Sequence, residues 1–279
     1  MKSVFLLCFC FAISGCSSLT GLFFYPQQVW IQTPANVGLA YEDIELHAAD
    51  GTRLHAWWLP AEHAGEWVML YLHGNAENIS SHFRNVDWLP AEGVSVLALD
   101  YRGFGASQGQ ARLPDVFMDI EAALLWLHQH YPEKRLAILG QSIGAALTVP
   151  FVAQAQSQYR IDAVVLDAPL ASYQQVARHG LSHSVVGWLL WPGTWLLPTR
   201  WDPIEHIHQL HLPVLMMHSP HDQVIPYEQG RKMYARLTVT GCWLESRGPH
   251  IASLYVPELR EALLMFLRDQ SCASKPAPE

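Results

Sequence analysis

The sequence has no surplus of basic charge. A formal net charge of −8 and a pI near 6.0 provide no cationic field to hold a phosphate backbone, so no nucleic-acid partner is expected. Cysteine and histidine do not occur at metal-ligand spacings despite fifteen histidines, and no metal is expected. His206, His208 and His211 lie close together but read as solvated or helix-capping residues. No internal repeat is present, which sets aside solenoid and propeller architectures. The apolar run at residues 4–12 is too short to span a bilayer. What the chain does have is apolar mass: half of its 279 residues, eleven of them tryptophan. That is enough for one large core or two small ones, with aromatic walls for a pocket.

Residues 1–16 read as a targeting segment, with Lys2 ahead of the apolar run and Ile13-Ser14-Gly15-Cys16 closing it. The closing tetrapeptide resembles a bacterial lipobox. It implies that Cys16 is lipidated and becomes the first residue of the mature chain; an ordinary secretory signal or an uncleaved anchor is the alternative. Ser17 stands where an inner-membrane retention signal has Asp, so the expected location is the outer membrane of a bacterial envelope, facing the periplasm. Each methylene of the acyl chains buried in lipid would contribute about 0.8 kcal/mol. Of the five cysteines, Cys8 and Cys10 would leave with the signal, while Cys242 and Cys272 remain. In an oxidising compartment these two either pair or stay as separate buried thiols, and their spacing does not decide which. Residues 17–40 read as a linker, 41–270 as one domain and 271–279 as a tail.

Within the domain, strands and helices alternate. Residues 41–47 and 52–59 read as strands around the Asp50-Gly51 turn. Runs at 67–72 and 94–99 are continuously apolar, as in strands buried on both faces of a parallel sheet. Further strands are predicted at 136–139, 163–166, 214–217 and 242–245, and helices at 114–131, 142–156, 226–237 and 257–269. Such alternation specifies one doubly wound α/β sheet.

The chemistry is concentrated at strand ends. Residues 140–144 read GQSIG, between an apolar strand and a helix of small residues. This is the nucleophile-elbow pattern G-x-S-x-G, in which a tight turn leaves space only for hydrogen on either side of an exposed serine. An activated Ser142 needs a base, and the base needs an acid to orient it. Asp222 follows the strand at 214–217, and His250 follows the strand at 242–245, in the chain order Ser, Asp, His expected of this architecture. The backbone amides of Asn75, after the strand at 67–72, and of Ile143 are the candidate oxyanion hole. His73 precedes the nucleophile in the chain and reads as a structural histidine bonded to loop backbone. A second match to the pentapeptide, Gly105 to Gly109, follows loop rather than strand and opens no helix, so Ser107 is not expected to be the nucleophile.

HGNA at 73–76, DYRGFGAS at 100–107, GQSIG at 140–144, HSPHDQVIP at 218–226 and GPH at 248–250 together resemble the α/β-hydrolase superfamily. Within it they are most similar to the Bem46-like serine hydrolases and the α/β-hydrolase domain-containing 13 and 17 group. The resemblance spans residues 41–268. It implies a mostly parallel eight-stranded sheet with helices on both faces and a small helical cap, and a serine hydrolase acting through an acyl-enzyme on esters, thioesters or amides without a cofactor. A serine peptidase or amidase, and an envelope lipoprotein that uses the fold only for binding, are the alternatives.

In that family, insertions between the sixth strand and the acid loop form caps, and here they correspond to residues 170–210. The stretch VVGWLLWPGTWLL at 185–197 contains Trp188, Trp191 and Trp195 and breaks into two short helices or a helix and a turn. We expect it to pack on the sheet's helices and line an apolar acyl pocket, the alternative being partial exposure toward lipid.

Overall fold

The computed structural model describes residues 19–182 and 184–270; the expectations for Cys16 and Cys272 lie outside them. Eight strands form one sheet: β1 (Glu42–His47), β2 (Arg53–Leu59), β3 (Trp67–Leu72), β4 (Val94–Asp100), β5 (Arg135–Gln141), β6 (Ala163–Asp167), β7 (Val214–His218) and β8 (Gly241–Glu245). Their order is β1-β2-β4-β3-β5-β6-β7-β8. The pairs from β4 to β8 are parallel, and β2 is antiparallel to both its neighbours. The antiparallel edge follows from the tight connection at Ala48–Thr52, closed by an Ala48 N–H bond to the Thr52 carbonyl at 3.0 Å, because two antiparallel strands need only a short turn.

The period of two along each strand divides the core. Val68, Leu70 and Leu72 face one cluster with helices α2 (Val116–His130), α3 (Ile143–Ala155) and α6 (Tyr227–Ala235). Trp67, Met69 and Tyr71 face a second cluster with α1 (Ile79–His82) and α7 (Pro257–Asp269). The sheet is therefore buried on both faces, as its continuous apolar runs require. The connection from β3 to β4, for which no element is predicted from the sequence, holds only α1 and two 3₁₀ turns.

Two expectations are corrected. Of residues 17–40, read as a linker, the described ones, 19–40, lie against the domain: Phe24 is buried, and the Gln27 N–H bonds the Glu77 carbonyl at 3.2 Å. The stretch expected to pack on the sheet's helices is instead turned outward. It forms α5 (Val185–Leu190) and a 3₁₀ turn (Trp191–Leu196) resting on α4 (Tyr173–Leu181). Trp188 is 69% exposed and Trp195 67%, with Trp191 at 36%. Its polar groups are satisfied internally: Arg178 Nε donates to Thr194 Oγ1 at 2.9 Å, and Gln174 Nε2 to the Leu197 carbonyl at 2.9 Å. Hydrogen bonds thus hold the hairpin without its apolar side chains having to turn inward.

Candidate active site

The register of the sheet sets the site. Leu72 pairs with Gly140, Gln141 with Asp167, Asp167 with Met217, and His218 with Glu245. The loops after β3, β5, β6, β7 and β8 consequently leave one carboxyl edge side by side. In open α/β sheets this edge is where ligands bind.

Ser142 sits between β5 and α3 with φ 54° and ψ −114°, a backbone region that a residue with a side chain occupies only when its surroundings impose it. The surroundings are explicit. A Cβ on Gly140 would meet Thr148 Oγ1 at 2.5 Å, and one on Gly144 would meet the Leu72 carbonyl oxygen at 2.1 Å. Both glycines are required by close backbone approach, as the pentapeptide predicts. The serine itself is 6% exposed.

Asp222 and His250 are joined across their two loops, with His250 Nδ1 at 2.7 Å from Asp222 Oδ2. Asp222 Oδ1 accepts the N–H groups of Val224 at 2.8 Å and Ile225 at 2.9 Å, so the carboxylate's orientation is fixed by its own loop. A second histidine, which the sequence analysis does not single out, also reaches it: His218 Nε2, fully buried at the end of β7, lies 3.3 Å from Asp222 Oδ2. Burial acts to raise the Asp222 pKa, but the hydrogen bonds from His218 and His250 outweigh it and hold the carboxyl well below the usual carboxylate range. The group is an anion around neutral pH, able to fix the imidazole tautomer and to stabilise its charged form. With Nδ1 bonded to Asp222, His250 has Nε2 left as its basic nitrogen.

Asp167 is a further residue that the sequence does not reveal. It ends β6, is fully buried, and accepts Ser253 Oγ–H on Oδ1 at 2.5 Å and Gln141 Nε2–H on Oδ2 at 2.8 Å. Its backbone carbonyl accepts the Ser142 N–H at 2.9 Å. Burial pushes the Asp167 carboxyl up, against the two hydrogen bonds that favour its charged form. One side chain therefore ties the serine turn, through Gln141, to the loop that carries His250, through Ser253. The same loop is held at its other end by Ser219 Oγ, which donates to the Gly248 carbonyl at 2.6 Å. Beyond Gln141 the chain of hydrogen bonds continues to the Tyr71 hydroxyl at 2.5 Å.

Asn75 follows β3 in a loop whose next residues, Ala76 and Glu77, have φ of 63° and 53°. Its side chain is committed to the N-terminal segment: Nδ2 donates to the Phe23 carbonyl at 2.7 Å, and Oδ1 accepts the Tyr25 N–H at 3.0 Å. Ile143 opens α3, so its N–H has no carbonyl one turn earlier to bond. His73 is buried, with Nδ1 2.7 Å from the Gly74 carbonyl, and burial reinforced by nearby His82 pushes its pKa well below the ordinary imidazole value. Ser107 is spent on structure: its hydroxyl donates to the Asp100 carbonyl at 2.7 Å and accepts the His55 N–H at 2.8 Å. Cys242, buried in β8, is disulfide-bonded.

Comparison with known proteins agrees with this architecture. Residues 64–203 match the family described as serine aminopeptidase, S33. The chain is 33% identical over 259 residues to the uncharacterized protein YfhR of Salmonella typhi, covering 84% of this chain and 82% of that one. It is 30% identical over 237 residues to human alpha/beta hydrolase domain-containing protein 17B, covering 83% and 76%. Among solved structures, the Pyrococcus furiosus esterase Pf2001 superposes with a TM-score of 0.74 at 22% identity, over 88% of this chain and 97% of that one. That likeness is one of fold.

Proposed function

The chain belongs to this α/β-hydrolase family and is a hydrolase, and from that premise we propose that it cleaves carboxylic ester or thioester bonds through Ser142, His250 and Asp222. The observation that carries the proposal is the 2.7 Å contact between His250 and Asp222 on the same sheet edge as a serine held at φ 54°. His250 Nε2 takes the proton of Ser142 Oγ as that oxygen attacks the substrate carbonyl. The Asn75 and Ile143 amides bind the oxyanion, each such donor being worth about 3 kcal/mol. The protonated His250 then gives its proton to the leaving group, and a water activated by the same ring releases the acid from Ser142.

An apolar acyl group is favoured by the apolar side chains of the 185–197 insertion, which leaves the chain at the same edge. We further propose that Cys16 carries a lipid and holds the domain at a membrane surface of the bacterial envelope. A second reading, hydrolysis of amides in peptides, is favoured by the description of the matched family. Parallel assays of the full chain on p-nitrophenyl acyl esters and aminoacyl p-nitroanilides separate the two. Ester turnover should dominate, and Ser142→Ala should lower it by on the order of 10⁶-fold. Ester turnover that survives in Ser142→Ala would refute the assignment.

A further inference from the structure

We propose that the insertion between β6 and β7 is a membrane-docking surface, and that the N-terminal segment holds it and the active-site edge toward the same bilayer. Val185, Trp188, Leu189, Trp195 and Leu196 are each 67–82% exposed, although they are large and apolar and sit close together on α5 and its following turn. A patch of this kind marks a surface that is covered in use.

Three observations commit it to lipid. The first is charge. The chain as a whole is acidic at −8, yet no Asp or Glu occurs between Tyr173 and Trp201. Arg178 and Arg200 lie in that interval, with their guanidinium groups over the Trp191 and Trp201 rings at 4.9 and 4.7 Å. An interval with two arginines, each over a tryptophan ring, and no acidic side chain suits an interface of acyl chains below and anionic headgroups above.

The second is reach. Cys16 precedes Leu19 by three residues, a span of at most about 10 Å when fully extended. A lipid on Cys16 thus brings the bilayer close to Leu19. The third is placement. Four residues beyond Leu19, the Phe23 ring packs on the Tyr173 ring at 4.9 Å, at the root of the insertion. The Phe23 carbonyl accepts Asn75 Nδ2 at 2.7 Å. The segment that leads from the anchor therefore runs past the Asn75 loop and onto the first residue of α4. Phe23, the root of the insertion and the Asn75 loop of the active-site edge therefore lie together, so a bilayer that meets the insertion also faces the edge that carries Ser142.

The orienting role of the N-terminal segment rests on the proposed tether at Cys16, the docking surface stands on its own side chains, and neither depends on which bond is cleaved, so Ser142→Ala should dock as the wild type does. The test uses the full chain incorporated into phosphatidylethanolamine–phosphatidylglycerol vesicles, with and without bromine on the acyl chains, and reads tryptophan emission, which lipid bromine quenches at contact. Wild type should lose emission in brominated vesicles. Trp188→Phe/Trp195→Phe should lose less than half as much, because the reporters are gone. Leu189→Asp should lose at least threefold less than wild type while the protein still floats with the vesicles.

Mass measurement of the N-terminal peptide reports separately on Cys16. An unacylated Cys16 with quenching intact removes the tether and leaves the docking surface supported. An acylated, vesicle-bound wild type whose emission is the same with and without bromine overturns the docking surface. So does a wild type that doubles its mass in vesicle-free buffer while Leu189→Asp stays single, since a second copy of the chain would then be what covers the patch.

Discussion

The buried carboxylates carry the most specific expectations. Asp222 has a lower pKa folded than its unfolded value of about 3.9, so ionisation stabilises the folded state. That contribution is complete above the unfolded value and is lost as pH falls below it toward the depressed folded pKa. In urea titrations the stability advantage of wild type over Asp222→Asn should therefore shrink as pH falls below about 4. Turnover by the variant should drop on the order of 10⁴-fold, because Asn no longer fixes the tautomer of His250. Asp167 touches no reacting atom and is a positioning residue. Asp167→Ala leaves Ser253 Oγ and Gln141 Nε2 without their acceptor, at a cost of about 1–3 kcal/mol for each. It should lower kcat by on the order of 10²-fold with KM little changed, since loosened geometry acts on the chemical step. A changed KM at constant kcat would assign Asp167 to substrate binding instead. The placement of Ser142, Asp222 and His250 at strand ends was legible because each sits in a Gly- or Pro-punctuated loop between a strand and a helix. Asp167, His218 and Ser253 were not. A single polar residue at a strand end or in a loop carries no local pattern, and only the sheet register shows what it meets.

The elements were legible in proportion to how regular their burial is. Strands flanked on both faces, such as β3 with all six residues buried, appear as unbroken apolar runs, and their bounds follow to within a residue or two. The elbow was legible because its steric demand is absolute. Gly144→Ala would place a methyl 2.1 Å from the Leu72 carbonyl, and the turn must open; a loss of about 1–3 kcal/mol in thermal or urea unfolding is expected, with Ser142 activity falling too. The insertion was misread because composition does not state which way a side chain faces. VVGWLLWPGTWLL is as apolar as a core helix, yet α5 and its turn close their hydrogen bonds among themselves and on α4, which leaves the tryptophans free to point outward. If those side chains meet the substrate's acyl group, Trp188→Ser/Trp191→Ser should flatten the preference for long over short p-nitrophenyl esters. An unchanged chain-length profile would limit the insertion to docking.

At the scale of the molecule, one sheet edge gathers loops from five strands, and every group of the proposed mechanism stands on it. Of the two layers of helices only the first residue of α3, Ile143, carries one of those groups; the rest provide the burial that fixes the edge in place. The N-terminal segment joins this assembly through Phe23, Phe24 and Asn75, where a free linker was expected, because its apolar side chains find the domain surface within reach. Whether the edge is a serine hydrolase site turns on one atom, Ser142 Oγ. Treating the full wild-type chain with a fluorophosphonate, digesting it and locating the adduct by peptide mass is the direct measurement. The account predicts a single adduct on Ser142, reduced strongly in Asp222→Asn and His250→Ala; an adduct on Ser107, or none on the native protein, would contradict it.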